Sequence, residues 1–164
     1  MFTMKNIPCI ALILALSSLF IISCASSGNS VQNAATRAAI DSNRWTFTVS
    51  QVQPQIGRTQ VPNGNYSVIC APNNLNVYLP YFGRAFSGAD VYNTSQSPLH
   101  FISKEFTLEK VEVKTGKWTV IIVPTDQRQV QRMTYTFYNN SSASLDVILT
   151  NRSPIRFTGT VGRN

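Results

Sequence analysis

At 164 residues and roughly 150 residues per domain, the chain has room for one domain behind a leading segment. Hydrophobic residues make up 43% and charged residues 13%, which excludes a disordered chain, and 8 Gly with 8 Pro exclude a low-complexity or fibrous one. The 14 Lys and Arg against 7 Asp and Glu, net +7, favour acidic partners, while one His and three Cys leave little scope for metal or triad chemistry.

Lys5 precedes a nearly unbroken apolar run from Ile7 to Ile22, the layout of a secretory signal and short of the ~20 residues that a spanning helix needs. The run ends Ile21-Ile22-Ser23-Cys24, which resembles the lipobox of bacterial lipoproteins. That resemblance implies removal of residues 1–23, a diacylglyceryl thioether on Cys24, and acylation (palmitate) of the new amino terminus. Two or more acyl chains suffice for stable anchoring, so the basic side chains are not needed for it. Lys5 is the only charged residue removed, and the mature chain keeps 13 basic and 7 acidic side chains, net +6. Residues 24–30 are small, polar and uncharged, a flexible tether, leaving 31–164 as a single β-rich domain. Cys9 leaves with the leader and Cys24 is blocked by lipid, so Cys70 has no partner for an internal disulfide. Its phase with Tyr66 and Val68 makes it a buried strand residue rather than a nucleophile.

Residues 31–42, with Ala34, Ala38 and Ile40 and no Gly or Pro, form the one good helix candidate. From Trp45 the period becomes two, with Trp45, Phe47 and Val49 on one face. After a polar connection over 53–64, the strands carrying Tyr66/Val68/Cys70 and Leu75/Val77/Leu79 meet at a Pro72-Asn73 turn, which sets Cys70 opposite Leu75 and Val68 opposite Val77. A long polar loop fills the stretch between Phe86 and Pro98. Farther on, Phe106 and Leu108 are even-numbered but Val111 and Val113 odd, so the phase is expected to flip at a bulge near Glu109-Lys110 that bends the sheet towards closure. Thr115-Gly116 would then pair Val113 with Trp118 and Val111 with Val120. The last apolar sets, Met133/Tyr135/Phe137, Leu145/Val147/Leu149 and Ile155/Phe157/Val161, are all odd-numbered, which requires odd-length loops. Asn139-Asn140-Ser141 and Asn151-Arg152-Ser153 supply three-residue turns. The expected fold is mainly β: a short N-terminal helix followed by an antiparallel meander of about eight or nine sequential strands, barrel-like, with a β-sandwich as the alternative.

The run Val77-Tyr78-Leu79-Pro80-Tyr81-Phe82-Gly83-Arg84-Ala85-Phe86 resembles the signature of an uncharacterised family of Bacteroidota envelope lipoproteins, domain-of-unknown-function family 4251. The resemblance spans about residues 31–161, including the Gly57-Arg58 loop and the Asn151-Arg152 turn with Ile155 and Gly159, and departs at Ser153-Pro154. It implies a lipid-anchored β-rich domain and supplies no activity. Acidic clusters after the lipidated Cys mark surface export in the Bacteroidota. None follows Cys24, so the expected location is the outer membrane, facing the periplasm.

Within the motif, Pro80 ends a strand and Gly83 permits a bend. Arg84 then stands among Tyr81, Phe82 and Phe86, where a guanidinium stacks on a ring or holds a carboxylate. Tyr81, Gly83, Arg84 and Phe86 are therefore the candidate ligand-binding residues, set against an internal structural corner. Catalytic candidates are poor. His100 reads as a core or edge residue. Glu105 and Glu109 would stand ~13 Å apart on one strand face, too far for paired glycosidase carboxylates. No phosphate loop, zinc spacing or adjacent basic pair suggests a cofactor, a metal or nucleic acid. The expected function is a non-catalytic binding or accessory module for an anionic small molecule, glycan, lipid or envelope protein, with a hydrolase using an unrecognised carboxylate as the alternative.

Overall fold

The computed structural model describes residues 28–86 and 97–164. Cys24 and most of the polar loop after Phe86 lie outside them. Helix α1 (Gly28–Asp41) starts before Val31, so Gly28, Asn29 and Ser30, expected in the tether, are helical. It leads into nine antiparallel strands: β1 (Trp45–Pro54), β2 (Ser67–Ala71), β3 (Asn74–Tyr78), β4 (His100–Ser103), β5 (Phe106–Lys114), β6 (Lys117–Pro124), β7 (Val130–Tyr138), β8 (Ser142–Leu149) and β9 (Ile155–Arg163). They form one sheet in the order β4-β3-β2-β1-β9-β8-β7-β6-β5. The order is therefore two meanders joined by the β1–β9 pair, not one sequential run.

One continuous sheet with a single apolar face buries that face by curling. Strands β1 and β7 are three places apart, ~14 Å if the sheet were flat, yet the Trp45 and Tyr135 rings lie edge to face with centroids 4.9 Å apart. Trp45 also meets Phe137 at 5.0 Å. The inward residues Phe47, Val68, Leu75, Ile122, Leu145 and Phe157 complete a core with essentially no solvent exposure. The architecture is the expected barrel-like one rather than a sandwich.

Strands β4 and β5 occupy opposite edges of this sheet but are separated only by Lys104 and Glu105. They are in effect one strand whose first part pairs with β3 and whose second part pairs with β6. The bend that closes the barrel is thus at Lys104-Glu105, not at Glu109-Lys110. Asp126 holds it, accepting from the Ser103 hydroxyl at 2.6 Å and from the Lys104 amide at 3.0 Å, while Thr125 N–H donates to the Glu105 carbonyl.

The expected phase flip in β5 does not occur. Glu112 pairs with Trp118 and Val111 with Thr119, and the register shifts only between Glu112 and Lys114. Even-numbered residues from Phe106 to Glu112 stay on the inner face, and the shift comes only after Glu112, leaving Val111 and Val113 exposed at 61% and 54%. The inner positions turn from apolar to charged because α1 packs against them. Lys110 Nζ donates to the Asp41 and Ile40 carbonyls at 2.6 and 3.1 Å, which supplies charge and partners at a helix C-terminus. Glu112 accepts a two-pronged hydrogen bond from Arg37, whose guanidinium lies 5.4 Å from the Trp118 ring.

Other expected registers hold: Cys70 opposite Leu75, Val68 opposite Val77, Tyr135 opposite Leu145 and Leu145 opposite Phe157. The β7–β8 turn has the three expected residues, with Ser141 in the left-handed region at φ 63°. The β8–β9 connection runs over five residues, 150–154, rather than three, with Asn151 at φ 54°. Ser153 is buried there instead of lying in a tight turn. Cys70 is buried, and burial pushes its thiol up to about 12.

Candidate functional site

After β3 the chain keeps its Leu79 backbone paired. Leu79 N–H donates to the Leu99 carbonyl, and the Leu79 carbonyl accepts from Ser97 Oγ at 2.7 Å. Pro80 has no N–H to offer and is buried, so pairing with β4 stops and the chain is released towards the far end of the barrel. Tyr81 packs its ring on the core and sends its hydroxyl to Ser153, donating to the Ser153 carbonyl at 2.8 Å. Ser153 Oγ lies 3.2 Å from that hydroxyl and accepts the Arg84 amide at 2.8 Å. Ser153 N–H donates to the Arg84 carbonyl, Phe86 N–H donates to the Asn151 carbonyl, and Ala85 bridges Arg152. Residues 84–86 and 151–153 therefore form a short ladder tied by one Tyr and one Ser.

Gly83 has a specific role in this corner. A Cβ there would lie 2.3 Å from the Tyr81 hydroxyl and 2.6 Å from Ser153 Oγ, so only glycine leaves room for the network. The space over Gly83 belongs to the chain itself, which corrects the expectation that a ligand approaches the backbone there. A second correction concerns Arg84. The guanidinium placed over an aromatic face is that of Arg152, 5.6 Å from the Tyr81 ring centre. Arg84 is exposed, and neither ion pair found among the described residues, Arg37–Glu112 or Arg156–Asp146, involves it. Phe82 and Phe86 are exposed at 41% and 53%. Tyr81 and Gly83 thus build the corner, and Arg84 and Phe86, with Phe82, are what it presents.

Ser153 carries the corner, a role that its place in the expected Asn151-Arg152-Ser153 turn does not suggest. The available signal was Pro154, which biases the preceding residue to extended geometry and so aims a short hydroxyl back at the Gly83 turn. His100 lies on edge strand β4, stacked on Tyr78 at 4.3 Å with Tyr66 beyond it. Among the described residues no group of three or more His, Cys, Asp or Glu could hold a metal ion.

The family model for a domain of unknown function, DUF4251, matches residues 28–161. The chain belongs to this family. In fold this DUF4251 domain is similar to a DUF4251 family protein from Bacteroides eggerthii DSM 20697 in its crystal structure, with a TM-score of 0.60 and 12% identity over 84% of this chain and 91% of that one. At that identity the likeness speaks for the fold alone. No curated protein matches this one. The matched region of the DUF4251 domain begins at Gly28, the first residue of α1, and ends at Val161 in β9.

Proposed function

We propose that this protein is a non-catalytic accessory lipoprotein of the bacterial envelope, anchored through Cys24, that docks an acidic surface of a partner at the corner formed by Phe82, Arg84 and Phe86. One observation carries the reading: an exposed arginine with no ion-pair partner among the described residues, flanked by two exposed phenylalanines on a corner braced from behind by Tyr81 and Ser153. Aromatic and Arg side chains dominate the energetics of protein interfaces, and a braced backbone reduces the entropy lost on docking. Small-molecule sites are enclosed clefts, whereas these three side chains project into solvent, which favours a macromolecular partner over a free anion.

The polarity of the domain supports the same reading. Helix α1 enters at the Trp45 end of β1, where Thr36 meets Ser141 of the β7–β8 turn. Ser153 precedes Ile155, which pairs with Pro54 at the other end of β1, and a ten-residue strand is ~30 Å long. A domain tethered through Cys24 to the start of α1 presents its corner away from the anchoring membrane.

A photo-reactive residue at position 86, introduced into the full-length protein in cells, tests this. A discrete adduct that disappears with Arg84→Glu, at unchanged melting temperature and with no adduct from a control at Thr160, is the expected result. An adduct insensitive to Arg84→Glu, or none, overturns the reading.

A further inference from the structure

On the outer face of the barrel, far from Arg84 in chemistry, five strands place Thr119, Thr136, Ser144, Thr158 and Gln51 side by side in register. Over part of this row lies a shallow groove of about 450 Å3 lined by Ser50, Gln51, Tyr138, Ser142, Ser144 and Thr158. No charged side chain lines it, although the chain as a whole carries +7.

Two local irregularities create the groove. A register shift between Val49 and Gln51 inserts Ser50 as an extra residue, so Ser50 and Gln51 both face outward and are exposed, the use of a bulge to re-aim side chains. Opposite it, Gly159 lets β9 approach β1 closely, since a Cβ would fall 1.9 Å from the Thr48 carbonyl oxygen. The hydroxyls of Ser50, Ser144 and Thr158 and the amide of Gln51 have no protein partner among the described residues, whereas Ser142 Oγ donates to Asn140. At one end stands the Tyr138 ring, 38% exposed, with the Lys117 ammonium 5.7 Å from its centre.

We propose that this groove is a binding subsite for a neutral glycan. Unpaired hydroxyls and an amide penalise an apolar ligand, which would desolvate them without replacing their hydrogen bonds. No lining residue offers an anion a counter-charge, and the Lys117 ammonium at one end lies against the Tyr138 ring. A pyranose instead presents hydroxyls able to donate and accept along its edge and a C–H face to lie on the Tyr138 ring. The ~4.8 Å spacing between strands sets successive Ser and Thr hydroxyls at a separation comparable with one sugar ring, so the row reads a chain of units rather than a single one. This site is independent of the corner and of its proposed partner.

The test uses the full chain in detergent, titrated calorimetrically with millimolar cello-, laminari-, manno- and xylo-hexaose, and with oligogalacturonate as an anionic comparison. Binding of at least one neutral hexaose, unchanged by high salt and weakened about tenfold or more by both Thr158→Val and Tyr138→Ala at unaltered melting temperature, is expected. Three results overturn the proposal: no neutral hexaose binds, binding survives both substitutions, or only oligogalacturonate binds and salt abolishes it. Arg84→Glu leaves hexaose binding unchanged, so failure of this site and failure of the corner are read separately.

Discussion

Ser103 and Asp126 are joined by a 2.6 Å hydrogen bond across the point where the strand that closes the barrel changes partners. Ser103 is fully buried, and its hydroxyl has no apolar substitute that keeps the bend. Ser103→Ala should cost about 1–2 kcal/mol and lower the melting temperature by several degrees. The Ser103 hydroxyl is also the largest cause holding the Asp126 carboxyl below its ordinary value. A carboxylate with a depressed folded-state pKa contributes fully above its unfolded value, about 3.9, and its contribution fades as pH falls below that. Asp126→Asn should therefore melt lower than wild type at pH 7, with the gap narrowing towards pH 3. A gap constant across this range would show that Asp126 does not hold the bend through its charge.

Lys110 closes the helix to the sheet. Lys110→Met removes a cation and its hydrogen bonds from the α1 C-terminus, worth about 0.5–1 kcal/mol. Hydrogen exchange should quicken in residues 36–44 and stay unchanged in β7 and β8. Uniform quickening across the sheet would contradict a local latch.

At the corner, Gly83→Ala and Arg84→Ala should behave oppositely. The alanine methyl at 83 has no space beside Tyr81 and Ser153, an overpacking that costs about 1–3 kcal/mol. Arg84→Ala removes an exposed side chain with no ion-pair partner among the described residues and should leave the melting temperature within a degree or so. A comparable loss from both would make Arg84 part of the brace rather than of what the brace presents.

Cys70 should resist alkylation in the native protein at pH 8 and react on denaturation, because burial raises its thiol to about 12. Reductant should not change the melting temperature. Tyr135, beside Cys70, is likewise pushed upward, first by burial and then by the thiolate's charge. A group whose folded pKa is raised keeps its contribution below the unfolded value and loses it as pH climbs towards the folded one. Stability should accordingly fall above about pH 9, beyond the ordinary thiol range. Native labelling of Cys70 at pH 8 would place its strand outside the core.

Cys24 should be the first residue of the mature protein and carry acyl chains, detectable by mass spectrometry of the membrane fraction. Protease added to intact cells should leave the domain intact if it faces the periplasm. An unmodified amino terminus elsewhere would remove the anchor from the proposed function.

The alternation of Trp45, Phe47 and Val49, the Val68–Val77 hairpin and the odd-numbered faces of β7 to β9 were legible in the sequence. A half-buried strand writes its burial into every second residue, and a short turn transmits its register to the next strand. Strand β5 was misleading for the same reason: Val111 and Val113 look inward-facing, but the inner positions beside them are filled by Lys110 and Glu112. Their partners, Asp41 and Arg37, lie some 70 residues earlier on a helix, and no local period encodes a contact at that separation. The site divided similarly. The Tyr81-Phe82-Gly83-Arg84 run was visible as a motif, yet which residue braces and which is presented depends on Ser153, which reaches Tyr81 only when β8 and β9 return beside β1. The hydroxyl row on the outer face was invisible for the most general reason. Each Thr or Ser looks like an ordinary outward strand residue, and only the pairing of five strands in one register brings them into a single line.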